Sequence, residues 1–136
     1  MTFRVRHPSL TAEQISLRLG MQPDHSLTVG QPRATPKGAK LEGANRDTHW
    51  SCVLNADGAR DSAVRFESFL AKTFEMLKKH QAFLGEVSRT GGRASLFIGL
   101  FLDANSGFSL EPTLSRHAAE LPIALDFDVY PPDVAV

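Results

Sequence analysis

Cysteine occurs once in 136 residues, at Cys52, so the chain can form neither an internal disulfide nor a cluster of thiolate metal ligands. Net charge is also missing. Lys plus Arg and Asp plus Glu both number 15, which removes the global field that nonspecific nucleic-acid or membrane binders use; any such binding has to be local. The longest apolar run, Leu96 to Leu102, has seven residues and falls far short of the roughly 20 that a membrane-spanning helix needs. Arg4, Arg6 and His7 stand where a secretory leader would be apolar, so no signal peptide is read and a cytoplasmic location is the expectation. Local catalytic signatures are absent as well: no G-x-G-x-x-G after a strand, no P-loop, no H-E-x-x-H, no C-x-x-C and no G-x-S-x-G. No catalytic residue, metal ligand or cofactor is therefore assigned, although a site assembled from distant residues would leave no local motif.

What is present describes an ordinary globular domain. Hydrophobic residues at 42% and charged residues at 22% favour neither disorder nor a fibrous repeat. The length suits one core that buries about two thirds of the surface of the unfolded chain. Residues 1–130 read as a single α+β domain and residues 131–136 as a tail.

Residues 2–7 alternate, with Phe3, Val5 and His7 on one side and Arg4 and Arg6 on the other, the signature of a half-buried strand. Thr11-Ala12-Glu13-Gln14 reads as a capping box opening a helix through Ile15 and Leu19, closed by a left-handed Gly20. From residue 22 to residue 47 no period is sustained, and Pro23, Gly30, Pro32, Pro36, Gly38 and Gly43 interrupt every candidate element. This segment is expected to be a long basic loop, beyond the usual length of connections in compact domains. A short strand over 48–54 turns Trp50, Cys52 and Leu54 inward, with Trp50 as its core anchor.

Asp61 or Ser62 is expected to cap a long helix carrying Phe66, Phe69, Leu70, Thr73, Met76, Leu77 and His80 at helical spacing. A second helical stretch through Phe83, Leu84 and Val87 follows, and Thr90-Gly91-Gly92 turns the chain. Residues 93–103 form a strand with apolar groups on both faces, Leu96 and Ile98 on one and Phe97 and Phe101 on the other. Such a strand is central and covered on both sides, or paired with another subunit, which makes a homodimer an expectation. After a turn over 104–107, a helix over 111–120 leads to a final strand over 123–130, in which Ile123, Leu125, Phe127 and Val129 face inward.

The order is strand, helix, loop, strand, helix, strand, helix, strand. Pro8-Ser9-Leu10 and Phe108-Ser109-Leu110 each lead from a strand into a helix, so the halves echo one another. This predicts a two-layer α+β sandwich on the ferredoxin-like split βαβ plan, with a mixed, mainly antiparallel four-stranded sheet. Leu10, Ile15, Leu19-Gly20-Met21-x-Pro23, Gly30, Trp50 and Leu125-Asp126-Phe127-Asp128-Val129-Tyr130, in that order and spacing, resemble the bacterial family called domain of unknown function 4279. The resemblance implies a compact α+β domain over about residues 2–130 and transfers no activity, cofactor or site residue. The segment between Gly30 and Trp50 departs from it in being longer and more basic.

Candidate site residues fall in two groups. Arg33, Lys37 and Lys40 occur without an acid between them in a segment that proline and glycine keep from burying itself, and with His49 beside the next strand they are candidates for contact with an anion or a partner protein. The other group is a polar sheet face. Were the last strand to lie antiparallel beside the first, Arg4 and Arg6 would oppose Asp126 and Asp128, and His49 would share that face. Alternating charges on an outer face also serve solubility alone. The remaining histidines read as structural or surface residues: His7 packed at a strand end, His80 on the apolar side of its helix, where the helix dipole would favour its charged form, and His117 and His25 at the surface. Two functions follow. The first is a noncatalytic binding or regulatory module of another protein; the second is a small-molecule binder or enzyme with a cleft near His49, Asp126 and Asp128. Nucleic acid is disfavoured by the zero net charge and by the lack of aromatics interleaved in the loop.

Overall fold

The computed structural model describes residues 1–54, 63–101 and 107–131. The expected cap at Asp61 or Ser62, the end of the strand at Leu102 and Asp103, the turn over 104–106 and the tail beyond Pro131 lie outside them. The elements in chain order are β1 (Thr2–His7), α1 (Ala12–Leu19), β2 (His25–Leu27), β3 (Pro32–Ala34), β4 (Lys40–Ala44), β5 (Thr48–Val53), α2 (Ala63–Leu77), a 3₁₀ turn (Lys78–His80), α3 (Gln81–Arg89), β6 (Arg93–Phe101), α4 (Pro112–Glu120) and β7 (Ile123–Tyr130).

The capping box forms as the sequence dictates. The Thr11 hydroxyl accepts from the Gln14 N–H at 3.1 Å, the Gln14 side chain accepts from the Thr11 N–H at 2.8 Å, and Gly20 closes α1 at φ 64°. One core results. Phe3 and Val5 of β1, Trp50 of β5 and Leu96 and Ile98 of β6 pack against Ile15 and Leu19 of α1, Leu70, Phe74 and Leu77 of α2, Phe83, Leu84 and Val87 of α3, and Leu114 of α4. In α2 the buried stripe runs through Leu70, Thr73, Phe74 and Leu77, while Met76 is exposed. The architecture is a two-layer α+β sandwich in which helices cover one face of the sheet.

Strand order is where the ferredoxin-like plan gives way. The main sheet has five strands in the order β2-β5-β1-β6-β7, and β3 and β4 make a separate two-stranded sheet. Both hydrogen-bonding edges of β1 are occupied, by β5 and by β6, each antiparallel. The last strand therefore lies beside β6, parallel to it, with α4 as the crossover that a parallel pair requires. Arg4 and Arg6 do not oppose Asp126 and Asp128.

The segment over 22–47 is also more ordered than a loop. It contributes β2 to the sheet edge and folds β3 and β4 into a hairpin. At the tip the Gly38 N–H donates to the Thr35 carbonyl at 2.8 Å with Pro36 and Lys37 between them, and Gly38 adopts φ 87°. At the base, Gly30 N–H donates to the Asn45 carbonyl and Asn45 N–H to that of Gln31, both at 2.9 Å. Every residue of β2, β3 and β4 is exposed, so the strands leave no alternation of buried and polar residues to read.

Candidate functional site

Parity along the strands decides what the uncovered face carries. With Phe3, Val5 and His7 turned into the core, Arg4 and Arg6 of β1 turn outward, as do His49 and Ser51 of β5, Arg93, Ser95 and Phe97 of β6 and Asp126 and Asp128 of β7. The ladders align these side chains in cross-strand rows. Arg6 stands opposite His49 on one side and Arg93 on the other. In the next row, His25 and Arg4 both oppose Ser51, and Arg4 also opposes Ser95. Five basic side chains thus occupy two adjacent rows.

A cavity of about 720 Å³ lies over these rows, lined by Arg4, Arg6, His25, His49, Arg93 and Asp126 among others, and bounded by Ala34, Thr35 and Pro36 of the hairpin tip. The hairpin makes a concave site of what would otherwise be a flat sheet face. Among the described residues, one acid lines it. Arg93 grips Asp126 through two hydrogen bonds of 3.0 and 2.8 Å, which hold the Asp126 carboxyl below the usual carboxylate range despite its partial burial; Ser95 and Arg4 act in the same direction. Neither Arg4 nor Arg6 forms an ion pair among the described residues. Arg4 instead lies over the Phe97 ring, its guanidinium carbon 4.2 Å from the ring centroid.

The structure sorts the residues expected from sequence. Arg4, Arg6, His49 and Asp126 converge on the cavity; Asp128 does not, and accepts a 2.6 Å hydrogen bond from the Tyr130 hydroxyl. Arg33, Lys37 and Lys40 belong to the hairpin but do not line this cavity. Arg33 donates to the Glu42 carbonyl at 3.3 Å and, with His49, Arg46 and Asp47, borders a second depression. His25 and Arg93 are site residues that the sequence reading passed over. The signal for Arg93 was parity, since it shares the outward face with Ser95 and Phe97; His25 lies in an edge strand whose exposed residues gave no pattern. The second apolar face of β6 is not sealed by a helix. Phe101 stacks on Tyr130 at 4.7 Å and 9° and is 69% exposed, while Phe97 is half-buried beneath Arg4.

Groups outside the cavity are accounted for structurally. Cys52 has its thiol pushed up by burial and by Asp24, which leaves little of the thiolate a nucleophile would need. Among the described residues, no group of three His, Cys, Asp or Glu could hold a metal, and no helix is long and apolar enough to cross a membrane. His80 is not the dipole-stabilised cation expected at a helix end. Its Nε2 is buried with no hydrogen-bond partner among the described residues, and burial, with Lys79 adding, lowers its pKa.

His7 fastens the end of β1. Its Nδ1 accepts the N–H groups of Ser9 and Leu10 at 3.0 and 2.9 Å, so the ring proton sits on Nε2 and is donated to the Thr90 hydroxyl at 2.7 Å. That hydroxyl donates onward to the Glu86 carbonyl at 2.7 Å. Burial lowers the His7 pKa below the ordinary 6.5, outweighing the opposing pull of Glu86 and Asp47. The folded protein then binds fewer protons than the unfolded chain, so this stability is complete above about pH 6.5 and declines as pH falls. Urea unfolding should give a lower free energy at pH 5 than at pH 7.5, and His7→Gln should flatten the difference. An unchanged slope in the variant would mean that His7 is not the group responsible.

Fold and site together define a class: an α+β sandwich with one face of its sheet covered by helices and the other open and lined with arginine. The chain belongs to the DUF4279 family, a domain of unknown function, whose model matches residues 1–132. No curated protein and no solved structure matches it.

Proposed function

We propose that this protein is a noncatalytic binding module that takes an anionic, phosphate- or carboxylate-bearing ligand on the open face of its sheet. The observation that carries the reading is the row His49, Arg6, Arg93, in which Arg6 is paired across the strands with a second arginine whose carboxylate partner, Asp126, is bound to that second arginine alone among the described ion pairs. Like charges placed opposite on adjacent strands cost stability, and an arginine fork is the side chain best matched to two-point recognition of carboxylate and phosphate. A bound anion offsets that cost. Binding is favoured over proton transfer by Asp126, because this carboxyl, the one acid among the described residues of the cavity, has its pKa lowered by Arg93 and is a poor proton donor or acceptor near neutral pH.

Calorimetric titration with inorganic pyrophosphate tests the reading. Arg6→Gln should weaken binding by roughly tenfold or more, as expected for loss of a charge-assisted hydrogen bond. The same substitution should leave stability unchanged or raise it by about 0.2–1 kcal/mol, because it removes a like-charge pair. Lys79→Gln on the 3₁₀ turn, which removes the same charge elsewhere, should do neither. Equal losses from both variants would indicate a diffuse charge effect and defeat the assignment.

A further inference from the structure

The chemistry of this cavity extends beyond its anion-binding row. A lone oxyanion occupies a few water-sized volumes of about 30 Å³ each, far less than the 720 Å³ of this half-open groove. Cavities of roughly 300–1,000 Å³ hold molecules of drug or cofactor size. What fills the remainder has to match the next row. There Arg4 lies over the Phe97 ring and also lines the cavity, so an aromatic ring supports its guanidinium within the site. A guanidinium held in this way is a stacking platform for a flat π-system, the arrangement by which arginine planes receive nucleic-acid bases. The hairpin tip adds an uncharged part of the lining: Ala34, Thr35 and Pro36. Rows on one sheet face are two residues apart along the strand, about 7 Å, a gap that a single sugar spans.

Resting on the anion-binding reading above, we propose that the ligand joins a phosphate to a flat heteroaromatic ring, as a nucleoside monophosphate does. The phosphate lies on Arg6 and His49, and the ring enters between Arg4 and the hairpin tip. Arg93 serves the phosphate less directly, since its fork is committed to Asp126. Phe97 is then a positioning residue, which acts by supporting the Arg4 guanidinium.

The test titrates the full chain by calorimetry with adenosine 5′-monophosphate, ribose 5-phosphate and adenosine. The monophosphate should bind roughly tenfold or more tightly than ribose 5-phosphate, the scale of base stacking on such a platform. Phe97→Leu should erase that advantage while leaving ribose 5-phosphate affinity unaltered, a split that general damage to the site would not give. Pro36→Ala, in the exposed hairpin turn, supplies a second variant whose folding is not in question and should also reduce the advantage. Equal binding of the monophosphate and the sugar phosphate would overturn the ring inference and leave the anion site standing. Adenosine binding as well as its monophosphate, or no binding by either phosphate, would overturn both.

Discussion

Replacing Trp50 with Ala should lower the unfolding free energy by about 3–5 kcal/mol, the range for truncation of a buried aromatic side chain. The indole is 1% exposed, meets the Phe3 ring edge-on at 5.8 Å and 77°, and donates its N–H to the Ser16 hydroxyl at 2.9 Å. Truncation therefore opens a cavity between β5 and α1 beside Phe3 and removes the polar anchor that ties β5 to that helix. Trp50→Phe should recover much of the loss, because the ring volume returns without the hydrogen bond. Ser16→Ala isolates the bond itself at about 1 kcal/mol. Because Trp50 sits between His49 and Ser51, its loss should also disorder the basic rows and weaken anion binding beyond what the fraction unfolded explains. A change below about 1 kcal/mol in denaturant unfolding would contradict the burial described here.

Gly92→Ala should cost about 1–3 kcal/mol through overpacking. A Cβ at this position would lie 2.7 Å from the Arg6 carbonyl oxygen, from His7 Cδ2 and from Val87 Cγ1. The first of these is backbone and cannot rotate away. Gly92 also closes α3: its N–H reaches back to the Val87 carbonyl at 2.8 Å, while Gly91 takes the left-handed position at φ 89°. The turn delivers Arg93 to the outward face beside Arg6, so the strain would fall on the His7 network and on the anion row together. Gly107→Ala is the control, since a Cβ there meets nothing within 4 Å. Thermal unfolding should separate the two variants by several degrees. Equal melting temperatures would show that the close approach of β1 to this turn is not as tight as described.

Much of this was readable from residue spacing where one face of an element is buried. The alternation in residues 2–7, the Thr11 capping box and the inward set around Trp50 follow from burial patterns and local hydrogen bonding, and each appears where expected. The hairpin left no such pattern because both of its faces meet solvent, although the Pro36, Lys37 and Gly38 turn that organises it was visible as punctuation. Strand order was not legible. Which edge of β1 each partner takes depends on long-range pairing, and inserting β6 between β1 and β7 changed the partners on the polar face, giving Asp126 to Arg93 and leaving Arg4 and Arg6 to the cavity. The outward placement of His49, Arg4 and Arg6 survived that change because parity within a strand does not depend on who its neighbour is.

Whether anions bind the cross-strand rows of the open face is tested by a proton–nitrogen correlation spectrum of the full chain titrated with inorganic pyrophosphate. Saturable shifts are expected in the backbone amides of Arg4, Arg6, His49, Ser51, Arg93 and Ser95, and in Arg6→Gln the shifts at the other five should need roughly tenfold or more ligand to reach the same extent. An unchanged spectrum, or shifts centred on Lys72, Lys78 and Lys79, would contradict binding on that face.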